Sequence, residues 1–581
     1  MAPHSLEDEG PADLEQRLDD AEIRPPSPPP MSTKPPRLLI IGAGSRGRTY
    51  ARCSLQSSNG VVAAVAEPDD YKREDFGSKF IWGKTTAPPP EGSSFRDWRD
   101  YVAWETERRA RARAGEAVPD GVDAAFVCVR DEMHRDVVLA LAPLELHIMC
   151  EKPLATTLAD CTSIYRALAP LRATRVFSIG HVMRYSPHNM LLRRLLLDEG
   201  AIGDILSVHH TEPVGFWHFS HSYVRGNWRK ESVTAPSLLT KSCHDIDMLL
   251  WLMCSGGGSG PSDSGGGGDG DGGGDGDGGG DGDGGTGDTA VPEHLPTSIT
   301  SAGSLQFFRK SRKPRAAGDA TNCLSCPAEP DCLYSSKRIY VGGRHMGVET
   351  GNVRWPVSIV LPDIESFGGD LPRAKAAMLE ALAEDYDAST PQAEVDARNW
   401  FGRCVFESDN DVCDEQVVVL TWDDDPLPPS SGSSGNGAAR DGDGVGARGA
   451  KQATFHMVAQ TKRQCQRYTY VHGTTGEIYA DSKTITVEDF RTGETRTYRP
   501  KLESLGHGGG DHGLTRQFVL AVDRVKNAGW AAPAAQRALV GCGLEEIVRS
   551  HAVVFAAEEA RRLGKAVRWR EWWERNVGSV M

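Results

Sequence analysis

The sequence predicts an α/β protein whose first domain is a doubly wound parallel sheet, and three observations predict it. Leu38-Leu-Ile-Ile41 is a short apolar run followed directly by Gly42-Ala-Gly44-Ser-Arg-Gly47. A second apolar run, Val61 to Ala66, ends in the acid Glu67. Beyond it, further apolar runs alternate with helical patterns as far as Gly180. Buried runs of that length separated by helices read as parallel strands joined by crossovers.

Each element follows from its residues. G-x-G-x-x-G stands where a strand must turn into a helix: Gly42 permits the tight turn, Gly44 lets a pyrophosphate approach the backbone, and Gly47 allows helix to pack on strand. The backbone N–H groups of Ser45, Arg46 and Gly47 then open a helix whose positive dipole end faces the phosphates. Glu67, twenty residues after Gly47, stands where a carboxylate accepts from the adenosine ribose hydroxyls. Pro68 to Arg73 starts a helix, and Trp98–Arg113, rich in Arg and Glu, reads as a solvated surface helix. Asp123–Val129 is the next strand, followed by Arg130-Asp-Glu-Met-His134 and an apolar helix from Val137. Leu146–Cys150 is a strand that runs into Glu151-Lys152-Pro153, and the helix Leu158–Leu171 and strand Arg175–Gly180 continue the alternation. In such sheets ligands sit outside the carboxyl ends of the strands, where Arg130, His134, Glu151 and Lys152 fall.

Composition narrows the class of function. Of the net charge of −15, residues 1–36 (eight acidic, three basic) and 256–296 (nine acidic, none basic) hold all but about one unit. The remainder carries no electrostatic footprint for nucleic acid or an anionic membrane. No apolar run reaches the roughly 18 residues of a membrane span. No secretory signal opens the chain. Thirteen cysteines then read as reduced thiols of a cytoplasmic protein. Residues 1–36 read as a disordered tail, and 256–296 (Gly, Asp, Ser) and 423–449 (Pro, Ser, Gly) as flexible inserts. The foldable sequence divides into a dinucleotide-binding domain, 37–155, and a second domain, 156–570.

Gly-Ala-Gly-x-x-Gly on the first strand, the acid ending the second, His134 after the third and Glu151-Lys152-Pro153 together resemble the Gfo/Idh/MocA family of NAD(P)-dependent oxidoreductases. The likeness continues through Gly180-His-Val-Met-Arg184-Tyr185-Ser-Pro187 and Cys243-His244-Asp245-Ile-Asp247. It returns in Gly473-Thr-Thr-Gly476 and Gly541–Leu563, and so covers about 37–254 and 298–570. It implies a second α/β domain with an open, largely antiparallel sheet that supplies the substrate face and allows a homo-oligomer. Ile205–Val214, Ser298–Phe308, Val417–Trp422, Thr454–Gln460, Gln466–Val471 and Thr484–Phe490 are the candidate strands.

The resemblance places Lys152 beside the nicotinamide and the substrate hydroxyl, with Glu151 as its neighbour. It makes His244 a general base, its ordinary pKa being near neutrality. The family pattern Asp-x-x-x-His is broken here: Thr240 stands four residues before His244, with Lys241 beside it and on the same helical face as His244. Asp245 and Asp247 read as helix-capping acids. Trp217, His218, His221 and Arg225 crowd one segment, where aromatic and cationic groups suit a sugar or polyol and its acidic groups. With Arg184 and Tyr185 they are the candidate substrate contacts. Cys323-x2-Cys326-x5-Cys332 lacks a second C-x-x-C, so packed thiols are preferred to zinc and no metal is assigned. Gly506-His507-Gly-Gly-Gly-Asp511-His512-Gly precedes a helix and either lines the pocket mouth or is a flexible turn.

The expected activity is NAD(P)-dependent oxidation or reduction at a carbinol or carbonyl of a sugar, polyol or related small molecule. The alternatives are an NAD-dependent glycoside hydrolase of the same fold and a non-catalytic nucleotide-binding regulatory or scaffold protein. Glu67 favours NAD, because it would repel a 2′-phosphate. Arg46, Arg48, Lys72 and Arg73 argue for NADP if they turn inward.

Overall fold

Six parallel strands form the first sheet: β1 (Arg37–Ile41), β2 (Val61–Ala66), β3 (Ser94–Phe95), β4 (Ala124–Val127), β5 (His147–Cys150) and β6 (Phe177–Ile179), in the order β3-β2-β1-β4-β5-β6. The structure, a computed structural model, describes residues 32–254, 293–425, 448–501 and 507–581. Most of the tail and of both inserts expected from composition lies outside the described residues. β1, β4 and β5 are buried nearly end to end, as parallel strands covered on both faces must be. Crossover helices Ser45–Ser57, Asp70–Phe80, His134–Leu141 and Leu158–Leu168 supply that cover. Helix Trp98–Arg113 starts and stops where the charge pattern places it and buries Trp98, Tyr101 and Glu105 on its inner face.

β6 pairs with β5, Ile148 beside Phe177, so the parallel sheet runs past residue 155. Helix Gly510–Asn527 also returns from the far end of the chain to lie on the helix Ser45–Ser57, with Phe518 set edge-on against Phe126 at 5.4 Å. Chain order and domain membership therefore part company, because β1 and β4 need cover on a face their own crossovers leave bare.

The second sheet has nine strands: β7 (Ile205–Pro213), β8 (Ser298–Ser304), β9 (Glu415–Trp422), β10 (Lys451–Val458), β11 (Tyr468–Gly473), β12 (Gly476–Ala480), β13 (Ile485–Asp489), β14 (Glu494–Tyr498) and β15 (Val567–Arg568). Their order is β14-β13-β12-β11-β7-β10-β9-β8-β15, and every pair except β7 with β10 is antiparallel. β7 is thus the middle strand, and its inner face meets the buried helix Cys243–Met253. Between β8 and β9 the chain leaves the sheet for about a hundred residues of short helices that the strand pattern does not announce. That insert has its own apolar core, including Ile339, Tyr340, Met378 and Leu382, and Trp217 docks into it.

Candidate active site

The glycine loop explains itself sterically. A Cβ on Gly42, whose φ is +96°, would lie 2.6 Å from the Cys128 carbonyl oxygen, and one on Gly47 only 1.9 Å from the Gly42 oxygen. A Cβ on Gly44 would meet nothing within 4 Å, so the approach to the helix start is open. Helix Ser45–Ser57 has no side-chain cap and no acid in its first turn, which leaves its leading N–H groups free for an anion. This cradle fits a dinucleotide pyrophosphate. Gly47→Ala is expected to cost roughly 2–3 kcal/mol through overpacking. Thermal melting and fluorescence titration with NADH would show the loss of stability and of nucleotide affinity together.

Glu67 is buried at the end of β2. Its carboxylate accepts from Ala43 N at 2.8 Å and Asp69 N at 3.1 Å, which fixes both the glycine turn and the acid. The basic residues that would favour a 2′-phosphate are spoken for. Arg48 donates to Asp75 at 2.6 Å, Arg73 to the Glu67 carbonyl at 2.7 Å and to Asp70, and Lys72 lies 3.9 Å from Asp69. Arg46 turns the other way, to Glu151 at 2.6 Å, Tyr50 at 2.6 Å and Asp511 at 2.8 Å. Arg46 and Glu151, expected as cofactor contacts, thus tie the glycine loop to the Glu151–Pro153 turn and to helix Gly510–Asn527. Burial opposes the charge on Glu151, but Arg46 and the Tyr50 hydroxyl outweigh it and hold the carboxyl below its ordinary range.

Lys152 precedes a cis proline, and its Nζ donates to the Thr240 carbonyl at 2.7 Å. That bond meets the second domain at the position where the family pattern has an acid. Around it lies a dense buried charge network. On β7, Glu212 sits 3.1 Å from Lys241 Nζ and 2.8 Å from Arg467 Nε, as ion pairs with both carboxylate oxygens outside good hydrogen-bond angles. Arg467 grips Asp245 through Nε and, at 3.2 Å, through Nη2, and Nη2 also donates to His244 Nε2 at 2.8 Å. His210 Nε2 completes the shell around Asp245 at 3.0 Å. Lys241 Nζ also touches Cys465 Sγ at 3.0 Å, and His218 Nδ1 lies 3.6 Å from the same sulfur.

This network sets the protonation states. Burial, then Arg467 and Lys152, push His244 well below its ordinary pKa against the pull of Asp245. Burial and Lys241 do the same to His218. Burial works against the charge on Lys241, yet Cys465 and Glu212 hold it above the ordinary lysine value. Asp245 stays well below the usual carboxylate range because Arg467 and its histidine partners outweigh burial. Nε2 of His244 lies 2.8 Å from Arg467 Nη2 and 3.3 Å from Asp245 Oδ2, and Nδ1 is buried without a partner among the described residues. The nitrogen expected to act as general base is thus engaged by a guanidinium, and the other is closed off by packing.

Other assignments are corrected too. Arg184 makes a two-point ion pair with Asp247 at 2.7 and 2.9 Å under helix Cys243–Met253, and Tyr185 donates to the Val540 carbonyl at 2.7 Å. Both build the core. Asp245 and Asp247 are consequently ion-pair partners, and no side chain caps that helix. His221 bonds the Tyr340 hydroxyl at 2.9 Å, and Arg225 donates to the carbonyls of Arg403 and Tyr334, so both anchor the insert. Trp217 stacks on His345 and Trp355 there. Of that segment only His218 reaches the charge network. His134 spends its ring nitrogens on the Pro153 and Val129 carbonyls and so supports the Lys152 turn. Arg130 lines a polar cleft of about 370 Å³ with Asp131, Trp228 and Lys230.

Among the described residues, two groups bring metal-ligand atoms within 4.8 Å of one another: His181–Cys243–His551 and His181–Asp247–Cys542. Both are core. His551 gives its nitrogens to Ile547 O and Leu154 N–H, and the Arg184 cation already occupies Asp247. Cys323, Cys326 and Cys332 form no such group. No described helix is long and apolar enough to cross a membrane.

Arg467, Glu212 and Cys465 were missed from sequence. Glu212 carried a signal, an acid at the inner end of a strand crowded with histidines. Arg467 carried none, since it lies 223 residues from His244 and arrives only because β11 runs antiparallel beside β7.

With the geometry in hand, comparison with known proteins gives a consistent answer. Residues 37–181 match the profile of the Gfo/Idh/MocA oxidoreductase family's NAD-binding Rossmann fold, and residues 194–255 that of its C-terminal alpha/beta domain. Inositol 2-dehydrogenase of Salmonella typhimurium is 30% identical over 215 residues, 37% of this chain and 53% of that protein. The 2,7-anhydro-N-acetylneuraminate hydratase of Escherichia coli is 30% identical over 132 residues, 23% and 34% respectively. The chain thus spans only a third to a half of these curated relatives. Levoglucosan dehydrogenase in complex with NADH and L-sorbose shares the fold at a TM-score of 0.52 and 13% identity, over 92% of this chain and 99% of that one.

Proposed function

We propose that the chain, whose residues 37–181 and 194–255 match the two domain models of the Gfo/Idh/MocA oxidoreductase family, is an NAD-dependent oxidoreductase acting on a CH–OH group of a sugar, polyol or related small molecule. The observation that carries this reading is the placement of Lys152 just beyond the carboxyl end of β5, with its Nζ held by the Thr240 carbonyl at 2.7 Å. A donor held there in a preorganised site stabilises charge developing on a substrate oxygen without reorganising. Gly42, Gly44, Ser45, Gly47 and Glu67 would hold NAD, which supplies the two-electron oxidant when bound. Lys241 and His218 flank Cys465 at the edge of the same network and would line the substrate side, where a ring of hydroxyls finds both donors and acceptors. Thr240 gives Lys152 a backbone carbonyl, so the lysine is oriented without the carboxylate of the family pattern.

A sugar and polyol panel that includes myo-inositol, followed by nicotinamide absorbance and product analysis, tests the reading. No absorbance change with any member counts against it. Net hydrolysis without cofactor turnover would favour the glycosidase alternative instead. NAD is expected to bind about tenfold tighter than NADP, the equivalent of about 1.4 kcal/mol. The buried Glu67 carboxylate would meet the 2′ position of a bound nucleotide, and the neighbouring cations are already paired. Titration of both nucleotides checks this, and Glu67→Ala should narrow the gap.

A further inference from the structure

The loop before helix Gly510–Asn527 brings a second imidazole to the site, and its role rests on the oxidoreductase reading. His507, Gly508 and Gly509 have φ values of 45°, 59° and 86°, a left-handed run that for His507 is strained. Ser186 Oγ donates to the Gly508 carbonyl at 3.0 Å and pins it. The turn sets the His507 ring against the His244 ring, centroids 6.4 Å apart and planes at 72°. His507 Nδ1 lies 3.1 Å from Asp511 Oδ2, and the other Asp511 oxygen accepts from Arg46 Nη2 at 2.8 Å. An ionised carboxylate on Nδ1 places the ring proton there and leaves Nε2 with its lone pair, the arrangement in which a carboxylate orients a histidine base.

A carbinol that gives up its proton needs an acceptor. His244 has Nε2 on Arg467 and Nδ1 buried, so neither nitrogen is open to a substrate. Lys152 donates from Nζ to Thr240. His507 differs from both: it is more than a third exposed at the side chain, its orienting acid is fixed by a third group, and its Nε2 makes no bond among the described residues. The charged and titratable groups around it are few. Asp511 comes from its own helix, Arg46 from helix Ser45–Ser57 and His244 from helix Cys243–Met253. The underlying segment 182–193 brings Arg184, Tyr185 and His188. Arg184 is spent on Asp247, Tyr185 on the Val540 carbonyl, and His188 on the Thr484 carbonyl and Asn189.

We propose that His507, oriented by Asp511, is the general base of this site. On oxidation the carbinol O–H bond breaks and its proton goes to His507 Nε2. The freed O–H pair becomes the second C–O bond, and the C–H pair leaves with its hydrogen to the nicotinamide dinucleotide, the oxidant. Reduction runs the same transfers backward, with His507 donating.

The test has two arms on the full-length protein. Diethyl pyrocarbonate acylates unprotonated, accessible imidazole nitrogens, and peptide mass spectrometry at about pH 7 reads where. His507 is expected to be modified readily, His244 not, and Asp511→Asn should slow modification of His507. In turnover, His507→Gln should lower kcat by roughly 10²–10³-fold with KM nearly unchanged, and should remove the acidic limb of the kcat–pH profile. Asp511→Asn should lower kcat less and keep the limb. A His507→Gln enzyme with wild-type kcat and an intact limb overturns the role. Preferential acylation of His244 overturns the assignment of the two imidazoles. A wild-type chain that turns over no panel member sinks the oxidoreductase reading and the catalytic role with it, while the acylation pattern still judges which imidazole is free.

Discussion

Lys152→Met is expected to lower kcat by about 10³-fold while leaving NADH affinity within about twofold of wild type. The lysine stands at the end of β5, its backbone N–H on the Glu151 carboxylate at 3.0 Å and its Nζ on Thr240 O at 2.7 Å. The backbone bond to Glu151 does not depend on the side chain, and Nζ is spent on the second domain, so methionine, of similar length, should leave the nucleotide site intact. The substitution removes the only ammonium that meets the Thr240 carbonyl, and a donor lost from a preorganised, buried site costs far more than one lost from solvent. Stopped-flow turnover with an active panel substrate, beside an NADH fluorescence titration, separates the two quantities. Retention of full kcat would remove Lys152 from the chemistry, and a collapse of NADH binding would make it a cofactor residue instead.

Arg467→Met should be the most damaging single change to stability, at about 3–5 kcal/mol. Arg467 is the cation between two fully buried carboxylates, Glu212 and Asp245, and it also donates to His244. Methionine fills much of the volume but leaves both acids facing each other with Lys241, His210 and His244 in reach. The pH dependence gives a second readout. The folded pKa of Asp245 is depressed, so the stability it contributes is present above the unfolded value near 4 and is lost as pH falls through the folded value. Without Arg467 that depression shrinks. The variant should therefore start less stable at pH 7 and lose less on acidification below about pH 4. Denaturant melts at pH 7 and below pH 4 measure both points, and a variant that melts like wild type at pH 7 would show that the network carries little net stability. Glu212→Gln in the Arg467→Met background should recover part of the loss, because it removes one of the two stranded charges.

The sequence alone determined the nucleotide-binding half of this protein. Apolar runs of strand length, three glycines, a terminal acid and alternating helices are local signals, each readable within some twenty residues, because strand, turn and helix start are set by near neighbours. The position of Lys152 was legible for the same reason, since a strand end is a fixed place in such sheets. Tertiary structure alone decided which polar residues are free to act. Arg184, Tyr185, His221 and Arg225 look the same in sequence as ligand contacts and turn out to be core partners of Asp247, Val540, Tyr340 and Arg403. His244 has its Nε2 taken up because Arg467 arrives just ahead of β11, and His507 faces it because helix Gly510–Asn527 folds back onto the first domain. A side chain's hydrogen-bond capacity is written in its residue type. Its partner is chosen by strand register and chain return over hundreds of residues, and that choice fixes whether the group is spent on the fold or left for a substrate.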